Sequence, residues 1–360
     1  MAYTTIDDPS AYFQATTYTG NSGNGHVITH TGNSDLQADF IWIKMRSAGY
    51  FHVLYDTNRR PSGTPFSGSL YVLTGGDGYG TGAENTGAYG PTAIGSNSVS
   101  MNSYDTINLN NETLVSWNWK ANGGTTTAFS ESGSNPGGTY QKNETAGFSV
   151  VTYTGTGTAG EVTHGLTTQP QVVIVKRRDA SGAWATYHES AGITGTLFLN
   201  ESTAKGDTTA YFHTGWGAAT KFPIGTNAIT NADDGTYVAY AFAEVQGYSK
   251  FGSYVGNGSA NGPFVYLGFK PAFIMTKRTD SAGGWVISDL KRSGYNGGNK
   301  ELFANLDQAE DSDSRYDLLS NGFKIRVNYA SSNASGGTFI YMAFAENPFT
   351  TSTGVPTTAR

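Results

Sequence analysis

Cysteine is absent from the 360-residue chain, and charged residues make up only 14% of it. The first absence excludes disulfides, thiolate metal sites and cysteine nucleophiles, so packing alone must hold the fold. The second, with a net charge of −6, excludes the basic stripe that a protein tracking a nucleic-acid backbone requires. No apolar run approaches the roughly 18 residues of a membrane-spanning helix, and no membrane insertion is expected. The opening MAYTTIDDPSAYFQ has neither the basic start nor the apolar centre of a signal peptide, so synthesis in the cytoplasm is expected. Enzyme signatures are missing too: there is no GxSxG elbow, P-loop or HExxH, and no carboxylate-rich strand to set two acids across a sugar cleft. The sequence therefore reads as non-enzymatic, with no catalytic residue, no metal and no cofactor assigned.

What the chain does have is 48 glycines, 22 tyrosines and 19 phenylalanines, with many Thr, Ser and Asn. That composition suits short strands joined by turns rather than helices. GTYVAYAFAE at Gly235 is echoed by GTFIYMAFAE at Gly337, 102 residues later. Upstream blocks read DFIWIKMR from Asp39, QVVIVKRR from Gln171 and AFIMTKRT from Ala272, and they align Lys44, Lys176 and Lys277. Eight residues on stand His52, Trp184 and Trp285, and four further stand Asp56, His188 and Asp289. Tyr18, Tyr153 and Tyr254 share another column, while Trp117 and Trp119 align with Tyr240 and Phe242, then Met342 and Phe344.

This register predicts an all-β chain of three tandem antiparallel β-sandwich repeats, jelly-roll or concanavalin-like, of roughly 100 residues each. The units span 15–124, 147–246 and 247–349, with an N-terminal arm over 1–14, a polar Gly/Ser/Thr-rich linker over 125–146 and a C-terminal arm over 350–360. Units two and three abut and are expected to pack rigidly. NKELFANLDQAED, from Asn299, is the best prospect for a short helix.

Each chemical candidate has a plainer reading beside it. His26 and His30 are four apart, but they flank a Gly/Asn turn rather than a helix, and no third metal ligand is near. His52 and His188 share columns with Trp and Asp, so they are read as structural. Asp56 with Arg59 recurs as Asp289 with Arg292, and the bland reading is a pair that locks a strand end, a surface pair contributing about 0–1 kcal/mol. The acidic run Asp307 to Asp317 lacks the spacing of a calcium loop. Trp184 and Trp285 read as core. The binding surface is expected in loops: Asp77, Tyr79 and Tyr89 in the glycine-rich 70–100 segment that departs from the repeat, together with Trp216 and Tyr295.

The opening MAYTTIDDPSAYFQ, the YTGNSGNG turn, the LQADFIWIKMRS block and the ending MAFAENPFTTSTGVPTTAR resemble virion structural proteins of marine tailed bacteriophages. Those proteins carry tandem β-rich repeats with an (F/V)-W-I-K-x-R core, and the likeness covers the whole chain, which reads as a complete product. Ile174 and Met275 depart from the tryptophan found at Trp42. The resemblance implies a virion location and a tail fibre or spike used in host-cell attachment, or else a capsid- or tail-associated decoration protein. A glycan-degrading sandwich enzyme is a distant third reading. Implied partners are other virion proteins, further copies of the chain (a trimer by analogy with fibres) and a host-surface glycan or protein.

Overall fold

The computed structural model describes residues 3–59, 70–72, 82–85, 89–213, 215–294, 297–298 and 300–357. Asp77, Tyr79 and Tyr295 lie outside the described residues. Strand outweighs helix by 42% to 7%, which places the chain in the all-β class. Among the described residues helix is confined to single turns, including α1 (Asp105–Asn108), α2 (Ala228–Asn231), α3 (Leu290–Ser293) and α4 (Ala330–Asn333).

Three large antiparallel sheets follow one another along the chain. The first contains β1 (Phe13–Thr19), β2 (Phe40–Met45), β3 (His52–Asp56) and β4 (Thr113–Trp119), in spatial order β1-β4-β2-β3 and then Leu70–Val72. The second contains β5 (Thr127–Phe129), β6 (Gly138–Asn143), β7 (Phe148–Thr154), β8 (Val172–Arg177), β9 (Ala185–His188) and β10 (Thr236–Phe242). Its central order is β7-β10-β8-β9. The third holds β11 (Ser249–Val255), β13 (Phe269–Arg278), β14 (Trp285–Asp289) and β15 (Thr338–Pro348), in order β11-β15-β13-β14, with β12 (Phe264–Tyr266) in a smaller sheet. In all three, the closing strand slides in beside the opening one.

The FIWI, VVIV and FIM runs are apolar throughout because both faces of these central strands are covered. Ile41 and Ile43 pack outward with Ile28, Val99 and Met101 of a small sheet. Val173 and Val175 do the same with Val162, Phe222 and Ile224, and Ile274 with Val265, Phe323 and Ile325. The alternate residues, Phe40 and Trp42, Val172 and Ile174, Phe273 and Met275, turn inward into a single core shared by all three sheets. At its centre Trp119, Phe242 and Phe344, one from each closing strand, meet edge-on with ring centroids 6.2, 5.5 and 5.8 Å apart.

The turn of each segment is held by the same side chains. The hydroxyls of Tyr18, Tyr153 and Tyr254 donate to the carbonyls of Ile107, Thr230 and Ser332. Asn108, Asn231 and Asn333, each ending a helical turn, accept from the backbone N–H of Asn21, Thr156 and Asn257. Their amide groups donate to two further carbonyls each. Gly20, Gly155 and Gly256 are required there, since an added Cβ would lie 2.1–2.3 Å from the carbonyl oxygens of Leu109, Ala232 and Ala334.

Four expectations need correction. The 125–146 stretch is not a free linker: β5 and β6 form a hairpin that extends the second sheet beyond β7. No helix forms over 300–311; Leu302–Phe303 adds a strand to the third sheet, and Glu301 exchanges backbone bonds with Asp311. The two terminal segments are not free arms. Tyr3 donates to the Gly268 carbonyl, Thr4 to that of Gln246, Ile6 enters the shared core, and Ser352 bonds Asp7. Finally, the Asp-x-x-Arg pairs are buried, not on the surface.

Candidate functional site

A set of buried polar residues lines the seams between the three segments. Asp56 ends β3, its Oδ1 accepts the Arg59 N–H, and its Oδ2 accepts both the Arg59 guanidinium and the Tyr240 hydroxyl of the second segment. Arg59 continues to Glu84 at 2.5 Å, and Glu84 reaches Arg178 at 2.7 Å. The third segment builds the same chain toward the first. Asp289 caps α3, accepts the Trp117 indole N–H at 2.9 Å and pairs with Arg292, which continues to Glu310 and Arg46. Burial works to raise the carboxyls of Glu84 and Glu310, but their flanking arginines prevail and hold both below the usual range.

The seam from the second segment to the third differs in chemistry. His188 stands in the aspartate column, Ala191 in the arginine column and Met342 where Trp117 and Tyr240 stand elsewhere. Methionine offers no N–H or O–H, so an acceptor there would be orphaned. His188 instead accepts the Ser190 N–H on Nδ1 and donates from Nε2 to the Tyr341 carbonyl at 3.0 Å. Burial drives its pKa down to about 4, so it stays neutral and needs no arginine. The His52 column obeys a similar rule: His52 and Trp285 each donate a ring N–H to a carbonyl of a neighbouring segment, Phe303 and Phe198. Histidine and tryptophan interchange because both carry that donor.

Lys44, Lys176 and Lys277 are buried at the ends of the inward-facing rows. Lys176 donates to the carbonyls of Gly82 and Arg177, and Lys277 to those of Thr203 and Arg278. Lys44 donates to the Met45 carbonyl. Burial pulls their pKa values down to about 7 for Lys44 and about 8 for the other two. His26 and His30 are spent locally, on Asn108 and Thr16. Among the described residues no group of His, Asp and Glu is arranged to hold a metal ion, and no helix is long and apolar enough to cross a membrane.

Of the loop residues singled out from sequence, the two that are described, Tyr89 and Trp216, lie in different segments. Tyr89 is exposed, its carbonyl accepts the Tyr55 hydroxyl and its ring lies 4.9 Å from Tyr104 in the first segment. Trp216 is half-buried against Tyr187 in the second. Trp184 and Trp285 are both core. A different aromatic surface appears on the third segment. Phe264 and Tyr266, on β12 at the edge of its sheet, are 44% and 52% exposed. Phe349, 39% exposed, meets Tyr3 edge-on, and Lys250 lies over the Tyr266 ring at 5.4 Å. The alternation of PFVYLGF, with Val265 inward, was the available signal for this face, but the participation of both chain ends was not legible.

No curated protein and no solved structure matches the chain. A family model described as a domain of unknown function, DUF7483, matches residues 8–348, across all three large sheets, so the chain belongs to that family.

Proposed function

We propose that the chain is three tandem antiparallel sandwich repeats closed around one core, and that it serves as a non-enzymatic structural protein of a bacteriophage virion, a tail fibre or spike used in host-cell attachment. The observation that carries this reading is where the polar chemistry is spent. The buried carboxylates, histidines and lysines bond across seams or to local turns, while aromatic rings beside a lysine are left exposed on the third unit. Such rings stack on sugars and anchor protein contacts. The resemblance to virion proteins supports the location, with other virion proteins, further copies of the chain and a host-surface glycan or protein as partners. The experiment is binding of labelled protein to host cells, scored beside protection from infection. Saturable binding that competes with phage, weakened by the paired change Phe264→Ala and Tyr266→Ala, is expected; no binding by folded protein overturns attachment.

A second reading, a decoration protein that binds the capsid or tail, is favoured by the closed shape itself. The seams link the units in a ring, first to second, second to third and third to first, an arrangement suited to a threefold position on a particle without needing three chains. Retention on purified particles lacking tails would distinguish it.

A further inference from the structure

The second sheet shows what a completed opening-strand edge looks like. Thr154 donates its N–H to the Gly137 carbonyl, so Phe148, Val150, Thr152 and Thr154 turn their backbone groups toward β6, the chain's own added strand. In the first sheet the ladder from Lys120 N–H to Tyr12 carbonyl and from Gly20 N–H to Glu112 carbonyl fixes the matching parity. Phe13, Ala15, Thr17 and Thr19 therefore turn theirs away from β4, and among the described residues no strand pairs with that edge. In the third unit the corresponding edge is partly closed by the chain itself: Ser249 donates to Val245 and Phe251 to Glu244.

The open edge is bordered by a cleft of about 250 Å³ whose lining includes Ser10, Gln14, Thr31, Asn33, Lys291 and Asn347. This cleft continues the seam between the third and first units, because Lys291 sits between Leu290 and the buried Arg292. Lys291 also occupies the column of Asn58, whose side-chain amide donates to the Thr139 carbonyl of β6 across the equivalent seam. Lys291 donates instead to the Thr31 hydroxyl, at 2.9 Å, and lines the cleft beside the open edge.

We propose that the edge of β1 and this cleft receive an extended segment of a different polypeptide, which adds as an antiparallel strand in the way β6 adds to β7. The occupant has alternating backbone groups for Ala15 and Thr17, and an amide or hydroxyl side chain for the polar cleft, as Gln141 of β6 bonds Thr57 in the second unit's seam. Unpaired edges are templates for this kind of pairing.

A labelled peptide of residues 137–143, Gly-Gly-Thr-Tyr-Gln-Lys-Asn, titrated with the full chain is the probe. Saturable binding is expected. N-methylation at its Thr or Gln, whose N–H groups face the edge, should weaken it about tenfold, the cost of roughly one hydrogen bond; N-methylation at its Tyr or Lys should not. Ala15→Pro, which removes an outward N–H and leaves the β4 ladder intact, should have the same effect as the first, and Lys291→Ala should weaken binding less. No binding, or equal loss with both methylation registers, overturns the proposal. A dimer of the unliganded chain that the peptide dissociates assigns the edge to a second copy and overturns the assignment to a different chain.

Discussion

At the residue scale the protein shows how one column can hold aspartate twice and histidine once with every one of the three hydrogen-bonded. The choice follows the donor opposite: indole and phenol call for a carboxylate, methionine for a neutral ring that uses the backbone. Asp289→Ala removes the buried carboxylate nearest Arg292 and the acceptor of the Trp117 indole, and should cost about 3–5 kcal/mol in urea unfolding, whereas Asp289→Asn, which still caps α3, should cost less. His188→Asp places a charge where Ala191 and Met342 offer nothing, and should destabilise by a similar amount. The lysines give a pH signature. Their folded pKa values, about 7 and 8, lie below the ordinary 10.5, so between pH 8 and 10 the unfolded chain binds more protons and stability rises with pH. The urea midpoint should be higher at pH 9.5 than at pH 7.5, and replacing the three lysines by methionine should flatten the difference. A flat profile in the unaltered protein would contradict their burial as cations. The columns themselves were legible from sequence; their meaning was not, because Asp56 and Tyr240 lie 184 residues apart and meet only on closure.

At the element scale the repeated turn is the common device. Asn231→Ala removes the acceptor for Thr156 and the donors to Thr158 and Gly225, and should cost about 2–4 kcal/mol at about 1 kcal/mol per bond plus the orphaned groups. Asn108→Ala and Asn333→Ala should cost at least as much in the same unfolding assay, since they share these three bonds and add one each, to His26 and to the Asn257 side chain. This asparagine column sits at the 102-residue offset of the neighbouring decapeptide, and it escaped the sequence reading because it lies in irregular turns rather than apolar runs. The hairpin of β5 and β6 was misread for a related reason. GTYQKN has little apolar alternation, and it becomes a strand because β7 supplies the ladder and Gln141 is buried on the seam. The NKELFANLDQAED stretch carries helix-forming residues, yet Glu301 is buried against Arg315 and bridges to Asp311, bonds that a helix would break.

At the scale of the whole molecule, the all-β class was legible, whereas strand order and closure were not. Apolar residues on two faces of each central strand specify burial on both sides, but not that one side is shared by three sheets. An isolated second unit, residues 147–246, would expose Phe148, Ile174, Tyr240 and Phe242, and should stay unfolded in circular dichroism at temperatures where the full chain is folded. The central claim is that one core joins the three units, and Phe344→Ala tests it most directly because Phe344 touches both Trp119 and Phe242. Hydrogen exchange of this variant, read peptide by peptide, should show protection lost in β4 and β10 as well as β15. Loss confined to the third unit, with β4 and β10 as protected as before, would contradict the account.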